Sequence, residues 1–264
     1  MALREHLTPL DSLAADWKPS WFIENIWQAN ALNFLYGVPR ARKTTMRRYL
    51  MTCNFLQQEA FGLYKPGAAY QRALILLGEE ILEAEGAYLH QTFERLGGKA
   101  SGYAGRVDIL DATAGVRLDT PAVDDLYKLV EEGGYDFVAI DPLINFHRQN
   151  ENDAASMANV LARLKPIWRR ATLVVIHHEG KPNENTSFRT VGHRARGSSA
   201  MPGYTASNCL LQRTEGTDRH KLIVEAKYAP ERVSLDLQFD NGLWKRLNLE
   251  QQALDMQAAG MSGN

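Results

Sequence analysis

Residues 37–45 read Gly37-Val38-Pro39-Arg40-Ala41-Arg42-Lys43-Thr44-Thr45, directly after an apolar, β-rich run at 31–36 and at the start of a segment with helical signatures at 44–61. Strand, loop and helix in that order form the setting a phosphate-binding loop requires. The loop N–H groups and the positive end of the helix dipole then face one point. The spacing from Gly37 to Lys43-Thr44 meets G-x-x-x-x-G-K-[ST] at every fixed position but one, Arg42 standing for the second glycine. On this reading Gly37, Pro39, Arg40, Ala41, Arg42, Lys43, Thr44 and Thr45 surround the phosphates of a nucleotide. Lys43 reaches the β and γ oxygens, and Thr44 supplies a hydroxyl to Mg²⁺. The competing reading is a basic turn that caps a helix, since Arg40, Arg42, Lys43, Arg47 and Arg48 fall within nine residues.

About a hundred residues downstream, Phe137-Val138-Ala139-Ile140-Asp141-Pro142 has the form of a Walker B strand, an apolar run ending in a carboxylate. An acid there, at the carboxyl end of an open α/β sheet, is placed to hold Mg²⁺ through water. Another apolar run ends in Leu77-Gly78-Glu79-Glu80, which puts Glu79 on the same edge as a group to polarise the attacking water. Glu80, Glu83 and Glu85 follow where acidic residues favour a helix N-terminus. A further run ends in Val175-Ile176-His177-His178. Adjacent residues of a strand point to opposite faces, so the two histidines read poorly as a metal pair. His178 reads better as a polar sensor of the γ-phosphate or the catalytic water.

The apolar runs at 31–36, 73–77, 107–110, 137–140 and 173–176 alternate with helical segments at 44–61, 80–96, 120–132 and 152–170. That alternation gives an α/β fold with a mostly parallel central sheet and helices on both faces. After residue 205 the runs at 209–212, 222–226 and 233–239 read as antiparallel strands that extend one edge. The expected organisation is an N-terminal arm at 1–30 packed on the core, a nucleotide-binding domain at 31–248, and a tail at 249–264 with a short helix at 249–259.

With 264 residues, 45% hydrophobic and 23% charged, the chain fits one large globular domain and neither a disordered nor a fibrous protein. Thirty Lys and Arg against 31 Asp and Glu leave a formal charge of -1, so nucleic acid cannot be held by overall positive charge and needs a local patch. Residues 179–203 supply one. They are polar, they carry Lys181, Arg189, Arg194 and Arg196, and they are too long for a casual connection. The competing reading is a solvated loop with incidental charges. Cys53 and Cys209 alone make neither a disulfide scaffold nor a zinc ribbon. No apolar stretch approaches the roughly 18 residues of a membrane span. The expectation is a protein of the reducing cytoplasm, with no membrane partner.

Taken together the chain resembles the RecA-like ATPases of the plasmid RepA type, in the replicative-helicase branch that includes DnaB and KaiC relatives. The resemblance runs from about Trp21 to Asn248 through Trp21-Phe22-Ile23-Glu24, the Gly37 to Thr45 loop, Gly78-Glu79, Ile140-Asp141-Pro142-Leu143, Glu151-Asn152-Asp153, His177-His178-x-x-Lys181 and Arg196-Gly197-Ser198-Ser199-Ala200. It implies a RecA-like core, hydrolysis of Mg-ATP, assembly into a hexamer or filament, and single-stranded DNA as partner. Under the resemblance Lys43 and Thr44 are the phosphate and magnesium residues, Glu79 the catalytic glutamate, Asp141 the Walker B acid and His178 the sensor. It also implies a Lys-x-Arg pair offered to the neighbouring subunit. Lys227 fills the first place, Ala229 stands in the second, and Arg232 or Arg196 is the substitute. The departures at Arg42 and Ala229 keep open an alternative, a turnover-impaired module that binds or anneals DNA through nucleotide-dependent assembly.

Overall fold

The computed structural model describes residues 8–111, 115–151, 153–178 and 201–248. In chain order the strands and helices are β1 (Trp21–Ile23), β2 (Trp27–Gln28), β3 (Leu32–Gly37), α1 (Lys43–Leu56), β4 (Ala73–Leu77), α2 (Leu82–Arg95), β5 (Val107–Asp111), α3 (Val123–Glu132), β6 (Phe137–Asp141), α4 (Ala154–Trp168), β7 (Thr172–His178), α5 (Met201–Tyr204), β8 (Ser207–Arg213), β9 (Arg219–Ala226), β10 (Val233–Asp240) and β11 (Leu243–Arg246). Strands β3 to β11 form one sheet in the order β11-β10-β9-β8-β3-β7-β6-β4-β5. The tail helix expected at 249–259 lies outside the described residues.

Four of the apolar runs, β3, β4, β6 and β7, lie inside this sheet because each is covered on both faces, whereas the run at 107–110 becomes β5, the half-buried edge strand. Alternate residues of a strand point to opposite sides. Leu35, Ile75, Phe137, Val174 and Ile176 join one core, which also takes Met46 and Leu50 of α1 and Leu89 of α2. Phe34, Leu76, Val138, Ile140 and Val175 join a second core, under Leu126 of α3 and Leu161 of α4. The described part of the N-terminal arm contributes Phe22, Ile23, Ile26 and Trp27 to the first core, all buried. Asn54 of α1 ties the arm down by donating to the Phe22 carbonyl at 2.9 Å.

The antiparallel extension begins one strand later than its sequence implies. β8 pairs parallel to β3, with Leu35 opposite Cys209, and antiparallel to β9, with Cys209 opposite Val224. It is therefore a sixth parallel strand and the joint to the extension. The reason is connection length. A crossover separates β7 from β8, whereas only five residues, 214–218, link β8 to β9, too few for anything but an antiparallel turn.

Helices are also shorter than periodicity implies. α1 stops at Leu56, not residue 61, because Gln57 turns left-handed at φ 55° and the Gln58 N–H donates back to the Cys53 carbonyl at 2.9 Å. α4 starts at Ala154, where the Asp153 side chain accepts from the Ser156 N–H at 2.8 Å.

Candidate active site

The carboxyl ends of β3, β7, β6 and β4 lie side by side, and the loops that leave them build the site. Gly37 closes β3 where β8 runs closest. A Cβ there would stand 2.4 Å from the Leu211 carbonyl oxygen, so no other residue fits. The loop then turns left-handed at Arg40 (φ 66°) and at Arg42 (φ 65°, ψ 33°), and α1 starts at Lys43. Arg42 thus occupies the conformation for which the pattern uses glycine, at a cost of about 1–3 kcal/mol. Its side chain leaves the loop altogether. The guanidinium pairs with Asp218 of the β8–β9 turn and sits 4.0 Å from the centre of the Phe239 ring on β10. These contacts offset part of the strain.

Lys43 is buried and donates from Nζ to the carbonyls of Gly37 at 3.0 Å and Val38 at 3.1 Å, so the ammonium lies inside the curve of the loop. Thr44 Oγ1 donates to Asp141 Oδ1 at 3.2 Å. The two residues assigned to Mg²⁺ from sequence therefore converge, and a hydroxyl with a carboxylate is a hard-oxygen donor set that suits this ion. Gly78 follows β4 where the turn after Asp141 folds over it. A Cβ at Gly78 would lie 2.7 Å from that of Asn145, and the Asn145 amide donates to the Gly78 carbonyl at 2.9 Å. Beyond it Glu79 Oε1 lies 3.8 Å from His178 Nε2. β4 and β7 flank β6, so this pair spans the end of the strand that carries Asp141. Lys43, Thr44, Asp141, Glu79 and His178 share one sheet edge. His177 points to the other face, fully buried, with Nδ1 at 3.5 Å from Glu151 Oε1.

Two features are absent from the sequence reading. The first lies beneath the loop. Arg47 Nε donates to Asp141 Oδ2 at 3.3 Å and its Nη2 to Glu85 Oε1 at 2.7 Å, while Arg48 Nε donates to Glu85 Oε2 at 2.9 Å. Arg47 and Glu85 have no exposed side-chain surface. Glu85 therefore does not serve the helix dipole from solvent, as its position near the start of α2 implies. Two guanidinium groups draw it inward. Burial by itself would raise the Glu85 carboxyl, but Arg47 and Arg48 outweigh it and hold the group below the usual carboxylate range. For Asp141 burial wins and raises the carboxyl above its ordinary value, with Arg47 acting in the opposite sense. A signal for this network does exist in the sequence. Arg47 interrupts the buried stripe of Met46, Leu50, Met51 and Asn54 on α1, a place that demands a partner.

The second is a cleft of about 380 Å³ beside the loop, lined by Arg42, Thr45, Arg48, Tyr88, Arg95 and Phe239 among others. Its walls come from α1, α2 and the β10–β11 turn, three places with no sequence signal in common.

Other expected site residues lie elsewhere. Lys227 follows β9 and Arg232 precedes β10, at the end of the sheet opposite the loop. The eight residues of β9 separate them from Asp218, about 25 Å at the strand rise of ~3.3 Å per residue. Arg232 is half-exposed, and its Nε lies 3.7 Å from Glu225 Oε1. Lys181, Arg189, Arg194 and Arg196 lie outside the described residues. Among the described residues no helix is long and apolar enough to cross a membrane.

A family model described as an AAA domain matches residues 3–184. The fold is similar to that of the RadB recombinase crystal structure, with a TM-score of 0.61 and 14% identity over 84% of this chain and 93% of that one. It is also similar to the KaiC-like protein PH0186 from Pyrococcus horikoshii OT3, with a TM-score of 0.55 and 14% identity over 86% of this chain and 94% of that one. No curated protein matches the sequence.

Proposed function

The chain belongs to the AAA domain family, and from that premise we propose that it is a Mg-ATP-hydrolysing, RecA-like ATPase of the RepA/DnaB-type branch that assembles into oligomers and acts on single-stranded DNA. Its role is that of a helicase or DNA-remodelling enzyme in the replication or recombination of a phage, plasmid or other mobile element, in the cytoplasm. The observation that carries the nucleotide reading is the convergence of Lys43, Thr44 and Asp141 at one end of the sheet, with Thr44 Oγ1 3.2 Å from Asp141 Oδ1.

In this reading Thr44 and Asp141 would hold Mg²⁺, which when bound would supply neutralisation of phosphate charge. Lys43 leaves the Gly37 and Val38 carbonyls for the phosphate oxygens, and loop N–H groups complete the cradle. Glu79, exposed beyond Gly78, accepts the proton of the attacking water, and His178 steadies Glu79 from the end of β7. The cleft between Tyr88 and Phe239 accepts the base. Lys227 and Arg232 are too far from their own loop to serve it, so they act on the nucleotide of a neighbouring subunit. Lys181, Arg189, Arg194 and Arg196 contact the DNA backbone. The geometry of Arg42 favours an active loop over a turnover-impaired one. Its backbone already follows the glycine-like path, and its side chain is turned away from the phosphates toward Asp218.

Steady-state ATP turnover of the wild type and Lys43→Ala, each with and without single-stranded DNA, tests the proposal. Mg²⁺-dependent turnover, stimulated by DNA and lost in Lys43→Ala, is the expected result. Equal rates in the two proteins would remove the nucleotide assignment, and turnover indifferent to DNA would remove the DNA partner.

A further inference from the structure

Asp141 has both carboxylate oxygens engaged, each by a different residue of α1. Oδ1 accepts from the Thr44 hydroxyl at 3.2 Å, and Oδ2 accepts from Arg47 Nε at 3.3 Å. Thr44 and Arg47 are three residues apart and so lie on one face of the helix. Arg47 is itself fixed at its other nitrogen by Glu85, and Glu85 by Arg48, whose Nη2 also reaches Glu80 Oε2 at 3.1 Å. The chain of contacts thus runs from solvent at Glu80 to the carboxylate at the end of β6. It brings together two cations and two anions, Arg47, Arg48, Glu85 and Asp141, all of them buried. Such a buried set is expensive to assemble and adds little to stability compared with apolar packing. Its geometry gives it another use.

We propose that Arg47 is a positioning residue for the metal. By holding Oδ2, it turns Asp141 so that Oδ1, beside the Thr44 hydroxyl, is the oxygen offered to Mg²⁺, and Glu85 with Arg48 locks Arg47 in that pose. The inference rests on the nucleotide reading above and adds a residue to it. Neither the loop pattern nor the strand ending in Asp141 contains Arg47. A guanidinium suits the task because Nε and Nη2 diverge in one rigid plane and can serve two carboxylates at once. An ammonium has no such fork. Partners that orient a ligating group typically govern metal affinity by about 10–100-fold when removed.

Binding of a fluorescent mant-ATP to the purified protein, titrated with Mg²⁺, tests this. In Arg47→Gln/Glu85→Gln one buried charge of each sign is removed together, so the net charge is kept. The Mg²⁺ midpoint should rise about 10–100-fold, while mant-ATP binding in EDTA, which depends on Lys43 and the loop, should be unchanged. Arg47→Lys is the second variant, and covers the case in which the Gln pair fails to fold. It retains the charge and loses the fork, so its midpoint should rise as well. In an Asp141→Asn background the Gln pair should add no further shift, because Arg47 acts through Asp141. An unmoved midpoint in the Gln pair, a wild-type midpoint in Arg47→Lys, or a shift that adds to that of Asp141→Asn would each overturn the positioning role and leave the nucleotide reading standing. Absence of Mg²⁺-dependent mant-ATP binding by the wild type would overturn both.

Discussion

Asp141 ends β6 and Glu79 follows β4, neighbouring parallel strands whose carboxyl ends lie together, yet the Asp141 side chain is 6% exposed and that of Glu79 57%. Asp141 is the last residue of β6, so the strand fixes its backbone, and Thr44 and Arg47 hold its two oxygens. Glu79 stands two residues past β4, after a glycine pressed against Asn145, and its Oε1 lies 3.8 Å from His178 Nε2. One acid is immobilised and the other stays in water. The same sequence form, an apolar run ending in a carboxylate, thus yields a group suited to organising a cation and a group suited to handling a proton.

The largest effect expected on this contrast comes from removing what both acids serve. Lys43→Ala should abolish nucleotide binding, read by titration with mant-ATP, with the circular dichroism spectrum unchanged. Retained binding would mean that neither acid faces a phosphate site.

The acids should then separate. Glu79→Gln should bind Mg-ATP as the wild type does and turn it over about a hundredfold more slowly, the lower range for loss of a general base. Asp141→Asn should instead weaken Mg-nucleotide binding at least about tenfold. If the two variants share one phenotype, the division between buried organiser and exposed base is wrong.

Burial should also set the response to pH. His220 on β9 lies edge-on to the Trp244 ring at 4.7 Å, and burial pushes its imidazole down to about 4. The folded protein therefore keeps His220 neutral where the unfolded chain, with an ordinary value of about 6.5, is already protonated. Stability from this group is full above about pH 6.5 and falls as the pH drops toward 4, by about 1–3 kcal/mol. Urea unfolding across that range should show the loss, and His220→Gln should flatten it. A slope identical in the two proteins would assign the acid sensitivity to other groups.

The smallest effect belongs to Arg42. Both Arg42→Gly and Arg42→Ala lose Asp218 and Phe239, but only alanine keeps the cost of a left-handed backbone. Arg42→Gly should be more stable than Arg42→Ala by about 1 kcal/mol in urea unfolding. Equal stability would mean that the loop relaxes once the guanidinium is gone.

Strand identity was largely legible from the sequence. The five runs are short and apolar, and all five are parallel strands here, four of them covered on both faces and the fifth, β5, a half-buried edge. Their ends place Gly37, Leu77, Asp141 and His178 on one edge. The loop was legible as well, because its pattern encodes a local path that Arg42 follows despite lacking the glycine. The role of Glu85 was misread. Its position near a helix start favours the dipole, and nothing local records that Arg47 and Arg48 of another helix face it from within the core.

What the sequence determined alone is therefore what short-range chemistry dictates: apolar runs that must be buried, a loop between strand and helix whose path turns left-handed at Arg42, and an acid after a strand. Tertiary structure decided which charges meet. The parallel pairing of β8 with β3 brings Leu211 against Gly37, the β8–β9 turn places Asp218 against Arg42, and α1 packing beside α2 joins Arg47 to Glu85. Such contacts join residues 38 to 176 positions apart, and their energy depends on the burial and direction that packing imposes, which no local pattern of residues carries.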